Sequence, residues 1–76
     1  MISYEPLWQT MKKKGVSTYV LIKRYKISSS TIHSLRQNNS VTMYTLEQLC
    51  DILDCTPNDI VKFEKKKIEK KNQEKL

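Results

Sequence analysis

The 76-residue chain has little of what many functional classes require. It contains one Gly, two Pro, two Cys and one His. Two cysteines are too few for a disulfide-stapled secreted scaffold, and with one histidine they cannot complete a four-ligand zinc site. The longest aliphatic run, Val20-Leu21-Ile22, is far shorter than a membrane span, and no signal-peptide pattern is present. We therefore expect a cytoplasmic protein that does not bind membranes.

Catalytic groups are equally scarce. The sequence shows no nucleophile–base pair, no paired carboxylates and no Gly-rich phosphate loop. A domain of this size buries only about 60% of the surface that its unfolded chain exposes, which leaves little room for an active-site cleft. We expect no enzyme activity, no metal, no cofactor and no small-molecule ligand.

Positive charge is what the chain has in excess. Fourteen Lys and Arg against eight Asp and Glu give a net charge of +6. Within residues 1–61, six of the seven basic residues lie between Lys12 and Lys26, and four of the five acidic residues lie between Glu47 and Asp59. Residues 62–76 hold seven Lys and three Glu. Charge separated in this way orients a protein on a polyanion such as nucleic acid.

One repeated pattern predicts five helix starts. In each, an apolar residue precedes a Ser or Thr N-cap, and a second apolar residue lies five positions after the first. The caps are Ser3, Ser17, Ser28, Thr42 and Thr56, and the apolar pairs are Ile2 with Leu7, Val16 with Leu21, Ile27 with Ile32, Val41 with Leu46, and Cys55 with Ile60. Apolar residues at helical spacing follow each start. The pattern predicts an all-α, compact five-helix domain.

The expected helices cover approximately residues 4–14, 18–25, 29–38 and 43–53, and the fifth begins at Pro57. Pro6 suits a first helical turn, and Gly15 suits the left-handed residue after a helix. The expected core residues are Leu7, Trp8, Met11, Leu21, Ile22, Tyr25, Ile32, Leu35, Leu46, Leu49, Cys50, Leu53, Ile60, Val61 and Phe63. Cys50 and Cys55 are interpreted as small apolar residues without a bridge.

The predicted domain covers residues 1–63, and residues 64–76 form a Lys/Glu-rich C-terminal tail or helix extension. This extension is interpreted as a solubilising end, a non-specific DNA clamp, or an arm for a partner or membrane surface. A membrane role is disfavoured because Ile68 and Leu76 are too sparse to form an apolar face. Val61, Phe63 and Tyr44 exceed what one small core can bury, so a dimer contact is expected near them.

The third helix has an unusual outward face. If Ile32 and Leu35 point to the core, the helical period places Ser30, His33, Ser34 and Gln37 outward, with Ser29 and Arg36 at one margin. Short hydroxyl side chains let a helix enter a DNA major groove, and Arg and Gln can bond to guanine and adenine edges. Without its flanking helices, the same run is also compatible with an ordinary solvated face. His33 lacks the neighbours that a metal site needs.

Residues 16–37, with Leu21, Ile27, Ile32 and Leu35 around a Lys26-Ile27 turn, resemble the phage repressor and Cro (XRE-type) helix-turn-helix family. The resemblance extends from about Leu7 to Val61. It implies a lambda-repressor-like fold, double-stranded operator DNA as the partner, and a homodimer on an inverted repeat. Three positions depart from the family: Ile22 replaces a small residue, Lys26 replaces the turn glycine, and Thr18 replaces a frequent glutamine at the start of helix 2. Lys26 is therefore expected to adopt a left-handed or bridge conformation.

Candidate DNA contacts follow from the outward face and the resemblance together. The base-contact residues are Ser29, Ser30, His33, Ser34 and Arg36. The phosphate-contact residues are Thr18, Tyr19, Lys23, Gln37, Asn38, Asn39, Thr42 and Tyr44. For Tyr19 and Tyr44, phosphate contact and packing at the edge of the core stay equally open, whereas packing is favoured for Tyr25.

Two functions are compatible with these features. The first is sequence-specific DNA binding by a small bacterial or phage-type transcription regulator, expected to be a repressor, with helix 3 in the major groove. The alternative is a protein-interaction adaptor of an antitoxin-like or anti-repressor kind, with the same fold and only non-specific DNA affinity. Salt dependence separates them, because binding through phosphates alone weakens steeply as salt rises.

Overall fold

The computed structural model describes residues 1–65. Its elements, in chain order, are β1 (Ile2–Ser3), α1 (Glu5–Lys14), α2 (Thr18–Lys23), α3 (Ser29–Arg36), α4 (Met43–Leu53), a 3₁₀ turn (Pro57–Asp59) and β2 (Lys62–Phe63). The two strands pair antiparallel, with Ile2 opposite Phe63 and Ser3 opposite Lys62. The predicted extension from residue 66 onward lies outside the described residues.

Side-chain caps define the starts of α2, α3 and α4. The hydroxyl oxygens of Ser17, Ser28 and Thr42 accept the amides of Val20 (3.2 Å), Thr31 (3.2 Å) and Thr45 (3.1 Å). Each bond satisfies an amide that has no partner within its own helix. The three helix starts predicted from the cap pattern are confirmed.

The start of α1 differs from the prediction. Ser3 lies in β1, and the N-cap residue is Tyr4, whose side chain makes no capping bond. Ser3 Oγ instead accepts the Glu5 amide at 3.3 Å, and the Leu7 amide donates to the Ile60 carbonyl at 3.1 Å. The first turn of α1 is thus satisfied partly by the carbonyl of Ile60, which lies 53 positions after Leu7. Gly15 ends α1 at φ 72°, as predicted for a left-handed residue.

The prediction of five α-helices is wrong: residues 1–65 contain four. The chain after Thr56 makes a single 3₁₀ turn, buries Ile60, and then pairs Lys62–Phe63 with β1. Few apolar residues follow Ile60, so a longer helix there would have no apolar face to bury, whereas strand pairing satisfies backbone groups at both ends of the domain. Phe63, predicted as a core residue, is 77% exposed.

The connections between helices are longer than predicted, because α2 ends at Lys23 and α3 at Arg36, each two residues before its expected end. Lys26 adopts φ 62°, which confirms its expected left-handed conformation, and Asn38 does the same at φ 58° after α3. The Ile27 amide donates to the Leu21 carbonyl at 3.0 Å across the α2–α3 turn.

The core lies between the four helices and the 3₁₀ turn. Its buried members are Tyr4, Leu7, Met11, Leu21, Ile27, Ile32, Leu35, Leu49, Leu53 and Ile60. Trp8, Ile22, Leu46, Cys50 and Val61 are only partly buried against it. Tyr25, for which packing was favoured, is 38% exposed.

Both cysteines are half-buried free thiols, and the Cys55 amide donates to the Cys50 carbonyl at 3.0 Å. Burial raises the pKa of each thiol, because an apolar environment disfavours the charged thiolate. Among the described residues, no helix has the length and hydropathy to span a bilayer.

Candidate nucleic-acid interface

Helix α3 presents a polar face directly opposite the core. Ile32 and Leu35 are buried at 4% and 0% exposure, and they anchor the helix from beneath. The predicted base-contact residues are all on this helix: Ser29, Ser30, His33 and Arg36 are exposed, and Ser34 is half-buried. The exposed side chains other than Arg36 are short, so the backbone of α3 can approach another surface closely.

The start of α3 is held by hydroxyl contacts as well as by its cap. Ser28 Oγ lies 3.3 Å from Ser30 Oγ and 2.9 Å from Thr31 Oγ1. These contacts order the first turn, where helix-forming propensity is low. The side chain of Ser30 is therefore positioned before any ligand arrives.

Arg36 connects the two helices of the motif. Its guanidinium Nη2 donates to Thr18 Oγ1 at 3.3 Å, which joins the end of α3 to the first residue of α2. The sequence predicted a base contact for Arg36 and a phosphate contact for Thr18, and the structure brings the two together. Because a guanidinium has five N–H donors, this bond leaves other donors for DNA.

The turn after α3 is tied to the N-terminus. Asn38 Oδ1 accepts the Tyr4 amide at 3.1 Å, and the Tyr4 hydroxyl donates to the Asn39 carbonyl at 2.7 Å. Gln37, Asn38 and Asn39 are exposed at this turn, so their remaining polar groups face solvent. Burial raises the pKa of the Tyr4 hydroxyl, which keeps it protonated as the donor.

The other predicted phosphate contacts lie on α2 and at the start of α4. Tyr19 is 67% exposed, Tyr44 is 71% exposed, and Lys23 and Thr42 are also exposed. The Thr42 hydroxyl holds the first turn of α4 through Thr45. The structure thus places the predicted phosphate-contact residues on the elements before and after α3.

Charge is distributed unevenly over these elements. Basic residues cluster at the end of α1 (residues 12–14) and around the end of α2 (residues 23–26), whereas Asp51, Asp54 and Asp59 lie on or after α4. The lysines at the end of α1 also interact favourably with the helix dipole, so part of their role is structural. Within residues 1–65, no three His, Cys, Asp or Glu side chains lie close enough together to hold a metal ion.

Two features of this region were missed from the sequence. The Tyr4 contacts join residues 34 and 35 positions apart, and the Arg36–Thr18 bond joins residues 18 apart. Helical periodicity carries no information about contacts over such separations. The one available signal for Tyr4 was its aromatic hydroxyl at the start of the first predicted helix.

Comparison with known proteins agrees with this geometry. Residues 6–66 match the family model of the Cro/C1-type HTH DNA-binding domain. The fold is similar to a solved structure, the crystal structure of the transcriptional regulator VanUg in its form II, with 28% identity and a TM-score of 0.74, covering 80% of this chain and 81% of that one. None of the curated proteins matches this sequence. The family match spans most of the chain and includes the four described helices except Glu5, the first residue of α1, so this protein belongs to the Cro/C1-type helix-turn-helix DNA-binding family.

Proposed function

We propose that this protein is a sequence-specific regulator that binds operator DNA as a homodimer and represses transcription. The observation that carries the proposal is the exposed face of α3, where Ser29, Ser30 and His33 project from a helix anchored by buried Ile32 and Leu35. Such a helix can enter a major groove and bond to base edges. The protein acts by binding and not by catalysis.

The surrounding residues support a division of roles. Ser29, Ser30, His33, Ser34 and Arg36 contact bases. Thr18, Tyr19, Lys23, Gln37, Asn38, Asn39, Thr42 and Tyr44 contact the phosphate backbone and set the position of α3 in the groove. Because Arg36 bonds to Thr18, a proposed phosphate contact, its guanidinium can reach the DNA phosphate backbone as well as the base nearest the end of α3.

Repression would follow from occupancy alone. Two copies on half-sites about one helical turn apart cover promoter DNA that RNA polymerase needs. In transcription reactions with purified polymerase, we expect the protein to lower synthesis only from templates that contain the operator. Unchanged or increased synthesis would contradict a repressor.

The first test is selection of binding sites from a random duplex library at about 0.15 M salt, followed by anisotropy with the selected and scrambled duplexes. We expect an inverted-repeat consensus. Absence of enrichment, with binding that disappears near physiological salt, would instead favour the protein-adaptor function.

Two variants then separate base from phosphate contacts. His33→Ala should change the preferred base at one position in each half-site, whereas Lys23→Gln should weaken binding to every duplex and reduce the salt slope by about 1. Gln9→Ala, at an exposed position of α1, is the matched control and should leave both properties unchanged. Identical behaviour of the two variants would contradict the assigned base contact.

A further inference from the structure

An apolar groove lies where β1, the start of α4 and β2 meet. Two adjoining depressions share Met43, Leu46, Val61 and Phe63 as walls, and Ile2, Tyr4 and Val41 complete one of them. Phe63 is 77% exposed and Met43 is 78% exposed. Large apolar side chains side by side in water are characteristic of a protein contact.

The charges around this groove distinguish it from the rest of the molecule. Among the lining residues in the described part of the chain, Lys62 alone carries a charge. Its ammonium lies 3.4 Å from Glu5 Oε1 and 3.4 Å from Glu64 Oε2. The basic clusters of α1 and α2 do not line the groove, so a second positively charged molecule can approach here with little repulsion.

A two-fold interface requires a surface that is complementary to itself. The composition of this groove suits such an interface, because its centre is apolar and its edge holds both a lysine and two carboxylates. Lys62 of one copy can face Glu5 or Glu64 of the other while the apolar side chains pack together.

The position of the groove also suits a dimer on DNA. Met43 lies between Thr42 and Tyr44, which are proposed phosphate contacts, so a copy seated here would lie beside the DNA-facing surface. We propose that a second copy of this chain occupies the groove, with Phe63 and Met43 at the centre of the interface. This inference rests on the proposed function, operator binding as a homodimer, and it identifies the surface through which the two copies would meet.

Sedimentation equilibrium of the full chain, without DNA, at about 10 to 500 μM tests the interface directly. We expect the unmodified chain to form dimers and both Phe63→Gln and Met43→Gln to weaken self-association at least about tenfold, because each change removes an apolar contact twice in a symmetric interface. Tyr19→Gln is the matched control: Tyr19 is 67% exposed on α2, outside the groove, and its variant should dimerise normally. All three substitutions preserve net charge.

Circular dichroism should show unchanged helix content and thermal midpoints for the three variants, because the replaced side chains are exposed. A monomeric wild-type chain over this range would overturn the proposal, including the case in which residues 66–76 cover the groove. Equal weakening by Tyr19→Gln would overturn the location of the interface.

Binding to duplexes with one or two half-sites separates this inference from the proposed function. Phe63→Gln should keep the single-site affinity and lose the gain that the second site provides. If the chain dimerises through Phe63 but selects no DNA sequence, the proposed function fails and the interface stands. If it selects DNA but Phe63→Gln retains the gain, the interface fails and the function stands.

Discussion

The two exposed surfaces of this domain differ in chemistry. The face of α3 consists mainly of short hydroxyl side chains and one imidazole, whereas the groove exposes Phe63 and Met43. A polar face loses little when it exchanges water for base edges and phosphates, while an apolar groove gains stability by leaving water. The difference shows how a small domain can suit two partners without two separate cores.

Tyr4 is the physical connection between these surfaces. Tyr4 is one of the residues that line the groove, while its amide and hydroxyl bond to Asn38 and Asn39 just after α3. Changes in the shared core should therefore affect both surfaces, and changes at either edge should affect one. Four predictions test this, in order of decreasing effect.

Leu35→Ala should remove the common support. Leu35 is fully buried beneath α3, and its truncation leaves a cavity that costs roughly 2–5 kcal/mol, much of the stability of a small domain. Urea denaturation should show this loss, with DNA binding and dimerisation lost together. A stable Leu35→Ala protein that keeps either DNA binding or dimerisation would contradict the idea that both surfaces depend on one core.

Tyr4→Phe should loosen the connection without a cavity. Removal of the hydroxyl leaves the Asn39 carbonyl without its 2.7 Å bond, which we expect to cost about 1 to 2 kcal/mol in urea denaturation. Tyr25→Phe is the control, since Tyr25 is 38% exposed, and its loss of a hydroxyl should change little. Equal effects would mean that the Tyr4 bond does not hold the turn.

Ser28→Ala should affect the α3 side alone. The Ser28 hydroxyl caps the Thr31 amide, so its removal should cost about 1 kcal/mol and weaken DNA binding while self-association is retained. Ser28→Asp should restore stability, and Ser29→Ala, one position after the cap, should have little effect on thermal unfolding. Loss of dimers in Ser28→Ala would contradict the separation of the two surfaces.

Lys62→Met should have the smallest effect, at the edge of the groove. The carboxylate of Glu5, and then that of Glu64, raises the pKa of Lys62 above its ordinary value of 10.5. The charged lysine therefore contributes stability below that value and loses it as pH rises through the raised pKa.

The difference in thermal midpoint between wild type and Lys62→Met should accordingly be small at about pH 8 and shrink further as pH rises through the raised pKa of Lys62. High salt at about pH 8 should shrink it too, because exposed ion pairs are screened. A difference that grows with pH would contradict the ion-pair assignment.

Local signals explain which parts of the fold were predictable. Ser17, Ser28 and Thr42 each bond to an amide three residues ahead, so their helix starts are encoded within a few positions. Ser3 matches the same pattern, yet it is in a strand because Lys62 pairs with it from the other end of the chain. A pattern of a few residues cannot reveal a partner 59 positions away.

In the candidate interface, too, local features were predictable and contacts between distant residues were not. The outward placement of Ser30 and His33 follows from the buried spacing of Ile32 and Leu35, which is local and was predicted. The bond from Arg36 to Thr18 depends on how α2 and α3 cross, and the exposure of Phe63 depends on where β2 pairs. Whether these residues contact DNA in the assigned way stays a prediction.

The sequence by itself determined the four helices, most of the core and the polar face of α3, because caps and apolar spacing act within a few turns of chain. Only the tertiary structure decided that residues 2–3 and 62–63 pair as strands, that Tyr4 holds the turn after α3, and that Phe63 and Met43 form an exposed groove. Those features come from contacts between distant segments, whose free energy depends on the packed arrangement of the whole domain.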